Sequence, residues 1–380
     1  MTNYVFLGDS PTLETGFARV TKNLIPKLKL PNKKVWGLGY DGLDHDFDFK
    51  IYPANLNSSW HKDSSNIQRF KDFILSLDGE VVLWTIHDSW RLNDFSEVIR
   101  EIRLHKKLKL VSYIPVDSNL LKQDADFISL IDVPVAYNSH GKTEIEKATS
   151  KAVFSIPHGN DKSFYKKEVN REMIFPNSSD KILIGNVNTN SSRKNLLRTL
   201  EIFKHLSSID GRFNIYLHCA ADGFFDLKRI AFDMGVLDKV VFGDPFFQNS
   251  AIGKTDCSKK LLVDIYNCFD LFLTTSISEG WGLTATEAAS CEVPLFLPRH
   301  TSFESIFSED SCTFLDSNIS GYYMGKVVPD LIPQEAAIKI IESLNDSEGI
   351  LNKTRNAKNL VDSFDWDLIA EEWTNILKNV

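Results

Sequence analysis

Short apolar runs of strand length alternate with amphipathic stretches of helix length along the chain. Tyr4–Gly8, Val35–Leu38, Val81–Ile86, Leu108–Ile114, Val133–Tyr137 and Val153–Ile156 are apolar in the manner of strands buried on both faces of a parallel sheet. After the first run, a loop through Pro11 and Gly16 leads into a helix with Phe17, Val20 and Leu24 on one face. The stretch from Tyr165 to Asp180 is polar, is punctuated by Pro176-Asn177-Ser178-Ser179 and reads as a linker. A second set of strands follows at Ile182–Val187, Asn214–His218, Val240–Phe242, Leu271–Thr274 and Val293–Leu297. The chain closes on an amphipathic helix over Asp365–Leu377, with Leu368, Ile369, Trp373 and Ile376. Strands separated by helices predict βαβ units. The expected fold class is therefore α/β, with two doubly wound parallel-sheet domains facing a central cleft. Their expected bounds are 1–165, a linker 166–180, 181–362, and a C-terminal helix 363–380 crossing back to the first domain. Open sheets of this kind bind ligands at the carboxyl ends of their strands, which would line that cleft.

Composition narrows the class without naming a chemistry. At 380 residues, 43% hydrophobic and 25% charged, the chain can build two cores, and disorder or low complexity is excluded. No apolar run approaches the roughly 18 residues of a membrane helix, and the N-terminal run is too short for a secretory leader. A cytoplasmic location is expected. Cysteines at 219, 257, 268, 291 and 312 form no C-x-x-C pair and read as packed thiols rather than a disulfide or zinc framework. Basic and acidic residues balance over 1–165, at 21 each, so the whole net charge of −8 falls on the remainder. That acidity argues against sequence-independent nucleic-acid binding. Local basic clusters at Lys22–Lys34 and Arg100–Lys109 read as solvated faces or as a surface for a polyanionic acceptor.

The most informative stretch is Ser276-Ile277-Ser278-Glu279-Gly280-Trp281-Gly282-Leu283-Thr284-Ala285-Thr286-Glu287-Ala288-Ala289. It runs from a strand through a glycine-bearing loop into a helix. Gly280 and Gly282 let backbone approach a ligand, and the helix start offers unpaired N–H groups to a phosphate or sugar hydroxyl. Glu279 stands at the mouth of the loop and Glu287 about one turn into the helix. Two carboxylates so placed can accept hydrogen bonds from two points of one polyhydroxylated ligand.

This Glu-Gly-x-Gly-Leu-x-x-x-Glu-Ala pattern resembles the E-x7-E signature of retaining GT-B glycosyltransferases, specifically the large family 4. The likeness extends along both halves, through Ile156-Pro157-His158-Gly159-Asn160-Asp161, Ile184-Gly185-Asn186 to Arg193-Lys194-Asn195, Asp238–Gly243, the Gly16 loop and Phe364-Asp365-Trp366. It implies two Rossmann-like domains, a nucleotide-diphosphate-sugar donor and transfer with retention, without a cofactor or metal. By the same resemblance, Glu287 meets the ribose hydroxyls and Glu279 the transferred sugar. The backbone of Gly282, Leu283 and Thr284 meets the diphosphate or sugar, Arg193 and Lys194 stabilise the leaving diphosphate, and Gly16 and Gly243 complete the donor site.

The sequence departs from that family in places. Asn186 stands where the family has Arg, which puts its part in donor binding in doubt. At the place of the family's sugar-contacting His this chain has Asp117, and His87 ends the preceding strand. The D-x-D triplets Asp46-Phe47-Asp48, Asp124-Ala125-Asp126 and Asp365-Trp366-Asp367 read as turns and caps rather than metal sites. Phosphate-loop, nucleophile-elbow and dinucleotide fingerprints are absent. The acceptor stays open between glycan, lipid-linked sugar, protein and a hydroxymethylated DNA base, and no oligomeric state is read. Rival readings are a sugar-nucleotide isomerase or phosphorylase on the same fold, and a non-catalytic nucleotide-sugar-binding protein.

Overall fold

A computed structural model of the chain describes residues 1–40, 42, 44–54, 64–120, 125–244, 257–323 and 326–380. They form two compact units, one of Met1–Gly159 with Phe364–Val380 and the other of Asn160–Ser363.

In the first unit seven strands make one parallel sheet: β1 (Thr2–Asp9), β2 (Lys33–Leu38), β3 (Lys50–Pro53), β4 (Glu80–Ile86), β5 (Leu108–Ile114), β6 (Val133–Ala136) and β7 (Phe154–Ser155). Their order is β3-β2-β1-β4-β5-β6-β7, so the winding direction reverses between β1 and β4. Val5, Leu7, Leu83 and Leu110 pack beneath Phe70, Ile74, Ile99 and Ile102 of the covering helices. The first helix, Gly16–Leu24, is capped by Thr15, whose hydroxyl accepts the Ala18 N–H at 3.1 Å. Its buried face carries Ala18, Val20, Thr21 and Leu24, while the expected Phe17 is only partly covered.

The C-terminal helix, Trp366–Lys378, belongs to this unit and is capped by Asp365. Its Trp373 is fully buried, with ring centroids 4.9 Å from Tyr113 and 5.7 Å from Trp84. The Tyr113 hydroxyl bridges the Ile156 carbonyl and His158 Nδ1, at 2.7 and 2.8 Å.

The second unit repeats the plan with β8 (Ile182–Val187), β9 (Phe213–His218), β10 (Val240–Phe242), β11 (Leu271–Leu273), β12 (Leu295–Pro298) and β13 (Thr313–Leu315), in the order β10-β9-β8-β11-β12-β13. Its winding reverses between β8 and β11. Ile184, Ile215, Leu217, Leu271 and Leu273 form a core with Leu200, Phe203, Leu206 and Ile340. A separate antiparallel hairpin, β14 (Ile319–Tyr323) and β15 (Lys326–Asp330), follows β13.

Several sequence expectations shift. The stretch 166–180, expected as a linker, folds into the second unit. Arg171 pairs with Asp270 at 2.6 Å, Lys167 pairs with Asp264, and Glu172 accepts the backbone N–H groups of Asn177, Ser178 and Ser179. The stretch stays largely exposed, but these ion pairs and backbone bonds tie it to the second unit. β12 begins at Leu295 rather than Val293, because Pro294 has no N–H to give a ladder. β3, β13 and the hairpin were not expected. Among the described residues, no helix is long and apolar enough to cross a membrane. Four of the five cysteines, all but Cys257, are buried, and none of the five is disulfide-bonded.

Candidate functional site

The second unit's winding reversal places two loops side by side at the carboxyl ends of β8 and β11, where open parallel sheets bind ligands. The β8 loop carries Arg193 and Lys194, and the β11 loop carries Glu279. The structure joins the three. Glu279 is buried, and its Oε2 accepts from Arg193 Nη1 at 2.9 Å while its Oε1 accepts from Lys194 Nζ. Arg193 Nη1 also donates to the Ser278 carbonyl at 2.6 Å. The loops are stitched by backbone as well, since Ile277 N–H donates to the Arg193 carbonyl at 3.0 Å. Burial by itself would raise the Glu279 carboxyl, but the Arg193 and Lys194 charges together outweigh it and hold the pKa at about 2.

Below this cluster runs a buried polar layer. Asn186 Nδ2 donates to Thr199 Oγ1 at 3.1 Å and Asn186 Oδ1 accepts from Asn188 at 2.9 Å, while Thr199 and Thr275 share a hydroxyl bond of 2.7 Å. Asn186 is thus committed to an internal network that underpins the loop. Gly185 before it packs against Phe269 so closely that a Cβ would lie 2.1 Å from the ring.

The helix Leu283–Ser290 begins at Gly282, whose φ of 95° lies in the left-handed region and whose Cβ would meet Phe303 at 2.7 Å. Glycine is required there on both counts. Leu283 and Thr284 form the first turn, with no side-chain cap on the helix. Glu287 is buried on this helix, and its Oε2 accepts from the Tyr266 hydroxyl at 2.8 Å. Tyr266 was not singled out from the sequence; it lies a helix and a strand earlier, and no local spacing links it to Glu287. His300 and Thr301, also missed, brace the Glu279 loop. His300 Nε2 donates to the Ser276 carbonyl at 2.6 Å, and Thr301 Oγ1 donates to the Glu279 carbonyl at 3.3 Å. Two buried polar atoms of these loops, Ser278 Oγ and Asn188 Oδ1, have no hydrogen-bond partner among the described residues.

Gly243 follows the edge strand β10, and its N–H donates to the Leu217 carbonyl at 2.9 Å. It is the outermost of the expected donor residues in this sheet, with β9 between its strand and β8.

The remaining expected residues lie in the first unit, Gly16 and His87 at its own reversal and Asp117 one strand further, after β5. His87 follows β4, and its Nδ1 accepts the Asp88 N–H at 2.8 Å. In the neutral ring the proton is therefore on Nε2, which stands 3.4 Å from Asp9 Oδ1 at the end of β1. Asp9 also accepts from Thr15 Oγ1, the cap of the helix that starts at Gly16, and Phe17 lies over His87 at 4.8 Å. Gly16 and His87 thus share a neighbourhood with Asp9, which the sequence reading did not single out. Asp117 follows β5 and accepts from Ser118 Oγ at 3.1 Å.

Of the D-x-D triplets, Asp48 pairs with Lys33 at 3.0 Å and Asp365 caps a helix, while Asp124 lies outside the described residues. Among the described residues no group of three or more His, Cys, Asp or Glu is placed to hold a metal ion. The basic clusters are largely paired: Lys27 with Asp367, Lys29 with Glu371, Arg100 with Asp126, Arg103 with Asp132 and Lys107 with Glu80.

Two doubly wound parallel sheets in these strand orders are the GT-B fold. The same fold is found across the full chain in solved proteins. One is the HepE protein of Anabaena, solved in complex with UDP and glucose, which is 14% identical with a TM-score of 0.74 and complete coverage of both chains. Another is sucrose-phosphate synthase of Thermosynechococcus elongatus, 13% identical with a TM-score of 0.75, covering all of this chain and 99% of that one. Among curated proteins, the GtfA subunit of UDP-N-acetylglucosamine–peptide N-acetylglucosaminyltransferase of Streptococcus agalactiae is 28% identical over 124 residues. That match spans 32% of this chain and 23% of the relative. No family model matches the chain.

Proposed function

We propose that the protein is a glycosyltransferase that takes a sugar from a UDP-sugar bound in the second unit and transfers it, with retention, to an acceptor hydroxyl. The observation that carries this reading is the buried Arg193–Glu279–Lys194 cluster at the strand reversal, in one site with the Glu287 helix. Two adjacent cations there supply the charge that a leaving diphosphate needs, and the Leu283–Ser290 helix start adds N–H donors. Glu287, oriented by Tyr266, accepts from the ribose hydroxyls. UDP is the favoured nucleotide because HepE was solved with UDP and the GtfA relative is named for a UDP-sugar.

In this mechanism the acceptor oxygen attacks the anomeric carbon on the face the diphosphate leaves. The carbon–oxygen bond to the β-phosphate breaks with its electrons staying on UDP, and the acceptor proton passes to a phosphate oxygen. The protein's part is positioning and electrostatic stabilisation, with the cation pair rather than a metal balancing the leaving group. The first unit, through the Gly16 loop, His87 and Asp117, takes the acceptor. Because its basic clusters are tied up in ion pairs, a neutral glycan or a peptide suits it better than DNA.

A thermal-shift panel of UDP, GDP, ADP, CDP and dTDP, on wild type beside Glu287→Ala, tests the donor site. At ~100 times its dissociation constant a ligand stabilises the fold by roughly 2.7 kcal/mol. UDP is expected to raise the melting temperature of wild type and not of the variant. No shift with any nucleotide would refute the assignment.

A further inference from the structure

The loop bearing Arg193 and Lys194 is gripped from two sides by carboxylates, and only one of them belongs to the expected site. On one side is Glu279. On the other is Asp330, the last residue of the β14–β15 hairpin. Asp330 Oδ1 accepts from Asn195 Nδ2 at 3.2 Å, from Arg198 Nε at 3.1 Å and from the Leu331 N–H at 2.8 Å, while Oδ2 accepts from Arg198 Nη2 at 2.8 Å. The two Arg198 contacts form a fork on the carboxylate, an arrangement that fixes direction as well as distance. Arg198 is steadied in turn by Glu201, at 2.6 Å from Nη1.

Asn195 is where this grip acts on the cations. It follows Lys194 directly and adopts φ 48°, ψ 46°, a left-handed conformation that costs a non-glycine residue energy unless its surroundings hold it there. That conformation turns the chain from the short 3-10 helix Ser192–Lys194 into the helix Leu196–Ile209, and so sets the direction in which Arg193 and Lys194 leave the backbone. Its carbonyl is held from below by the Thr275 hydroxyl at 2.9 Å, and its side chain is held by Asp330.

We propose that Asp330 is a positioning residue for the diphosphate: through Asn195 and Arg198 it holds Arg193 and Lys194 where the β-phosphate of the donor binds. It touches neither nucleotide nor sugar. This rests on the donor-site reading above, and it gives the hairpin a part in a site to which it contributes no ligand-contacting residue.

The test compares UMP with UDP by titration calorimetry on the full chain. A positioning role toward the β-phosphate shows only with the diphosphate. Asp330→Asn is expected to weaken UDP about tenfold, the scale of one lost charge-assisted contact, while UMP stays within about twofold. Asp330→Glu is expected to recover part of the loss. If Asp330→Asn does not fold, Asn195→Ala removes the same contact from the other end, with the same selective loss expected. Equal weakening of UMP and UDP, or no change in either, would show the contact to be structural alone and overturn the proposal. A wild type that binds neither nucleotide overturns the donor site itself and this role with it, a result distinct from intact binding that Asp330→Asn leaves unchanged.

Discussion

At the scale of single residues the electrostatics of the proposed site turn on Glu279. Its carboxyl falls from an ordinary 4.5 to about 2 because Arg193 and Lys194 overcome the cost of burying it. A depressed carboxylate contributes stability that is present above its unfolded pKa and lost as pH falls through the folded one, here between about 4.5 and about 2. That contribution is on the order of 3 kcal/mol. Urea midpoints measured from pH 6 downward should therefore show wild type well above Glu279→Gln near neutrality and the two converging in acid. Parallel profiles would mean that the ion pairs hold nothing. Both glutamates and both cations were legible in the sequence because their local order carries a pattern. Tyr266, His300, Thr301 and Asp330 were not. They lie on other elements, His300 and Thr301 together at one helix start, and only the topology brings them to these loops. Asn186 is the instructive middle case. Its position could be read, but its commitment to Thr199 and Asn188 is a matter of packing.

Elements show a similar division. Buried parallel strands announce themselves as unbroken apolar runs, which is why β1, β4, β5 and β8 could be read closely from the sequence. Edge and irregular strands do not: β3 closes on Pro53, and the hairpin leaves Tyr322 and Val327 exposed side by side. The helix Leu283–Ser290 was legible through its glycines, and Gly282 offers a sharp test of how closely it is built. Gly282→Ala introduces a Cβ into Phe303 at a residue held in the left-handed region, so a loss of about 1–3 kcal/mol is expected. Nucleotide binding should fall further than stability, because the helix start shifts with it. Calorimetric unfolding paired with UDP titration measures both. An unchanged variant on both would mean that the loop relaxes freely.

For the molecule as a whole, the stretch expected as a linker lies within the second unit. The stretch is polar and largely exposed, yet Arg171 and Lys167 pair with Asp270 and Asp264 of the second unit, and Glu172 closes a local turn on Asn177, Ser178 and Ser179. The passages between units are Gly159–Asn160 and Ser363–Phe364. The first passage is tightly packed: a Cβ on Gly159 would lie 2.2 Å from the Trp366 ring. Ending the chain at Ser363 removes Trp366 and Trp373 from the first unit's core and leaves the second unit whole. Scanning calorimetry of that shortened protein should show the first unit's transition lowered or lost and the UDP-responsive transition retained. Loss of both would mean that the second unit does not stand alone.

The position of that last helix also has a bearing on birth at the ribosome. Translation delivers residues 1–159 first, yet the tryptophan that closes their core, Trp373, emerges only after every residue of the second unit. Until then the first unit lacks the ring that packs on Trp84 and Tyr113. A nascent chain stalled before residue 364 is therefore expected to expose the aromatic surface of Trp84 and Tyr113 to chaperones.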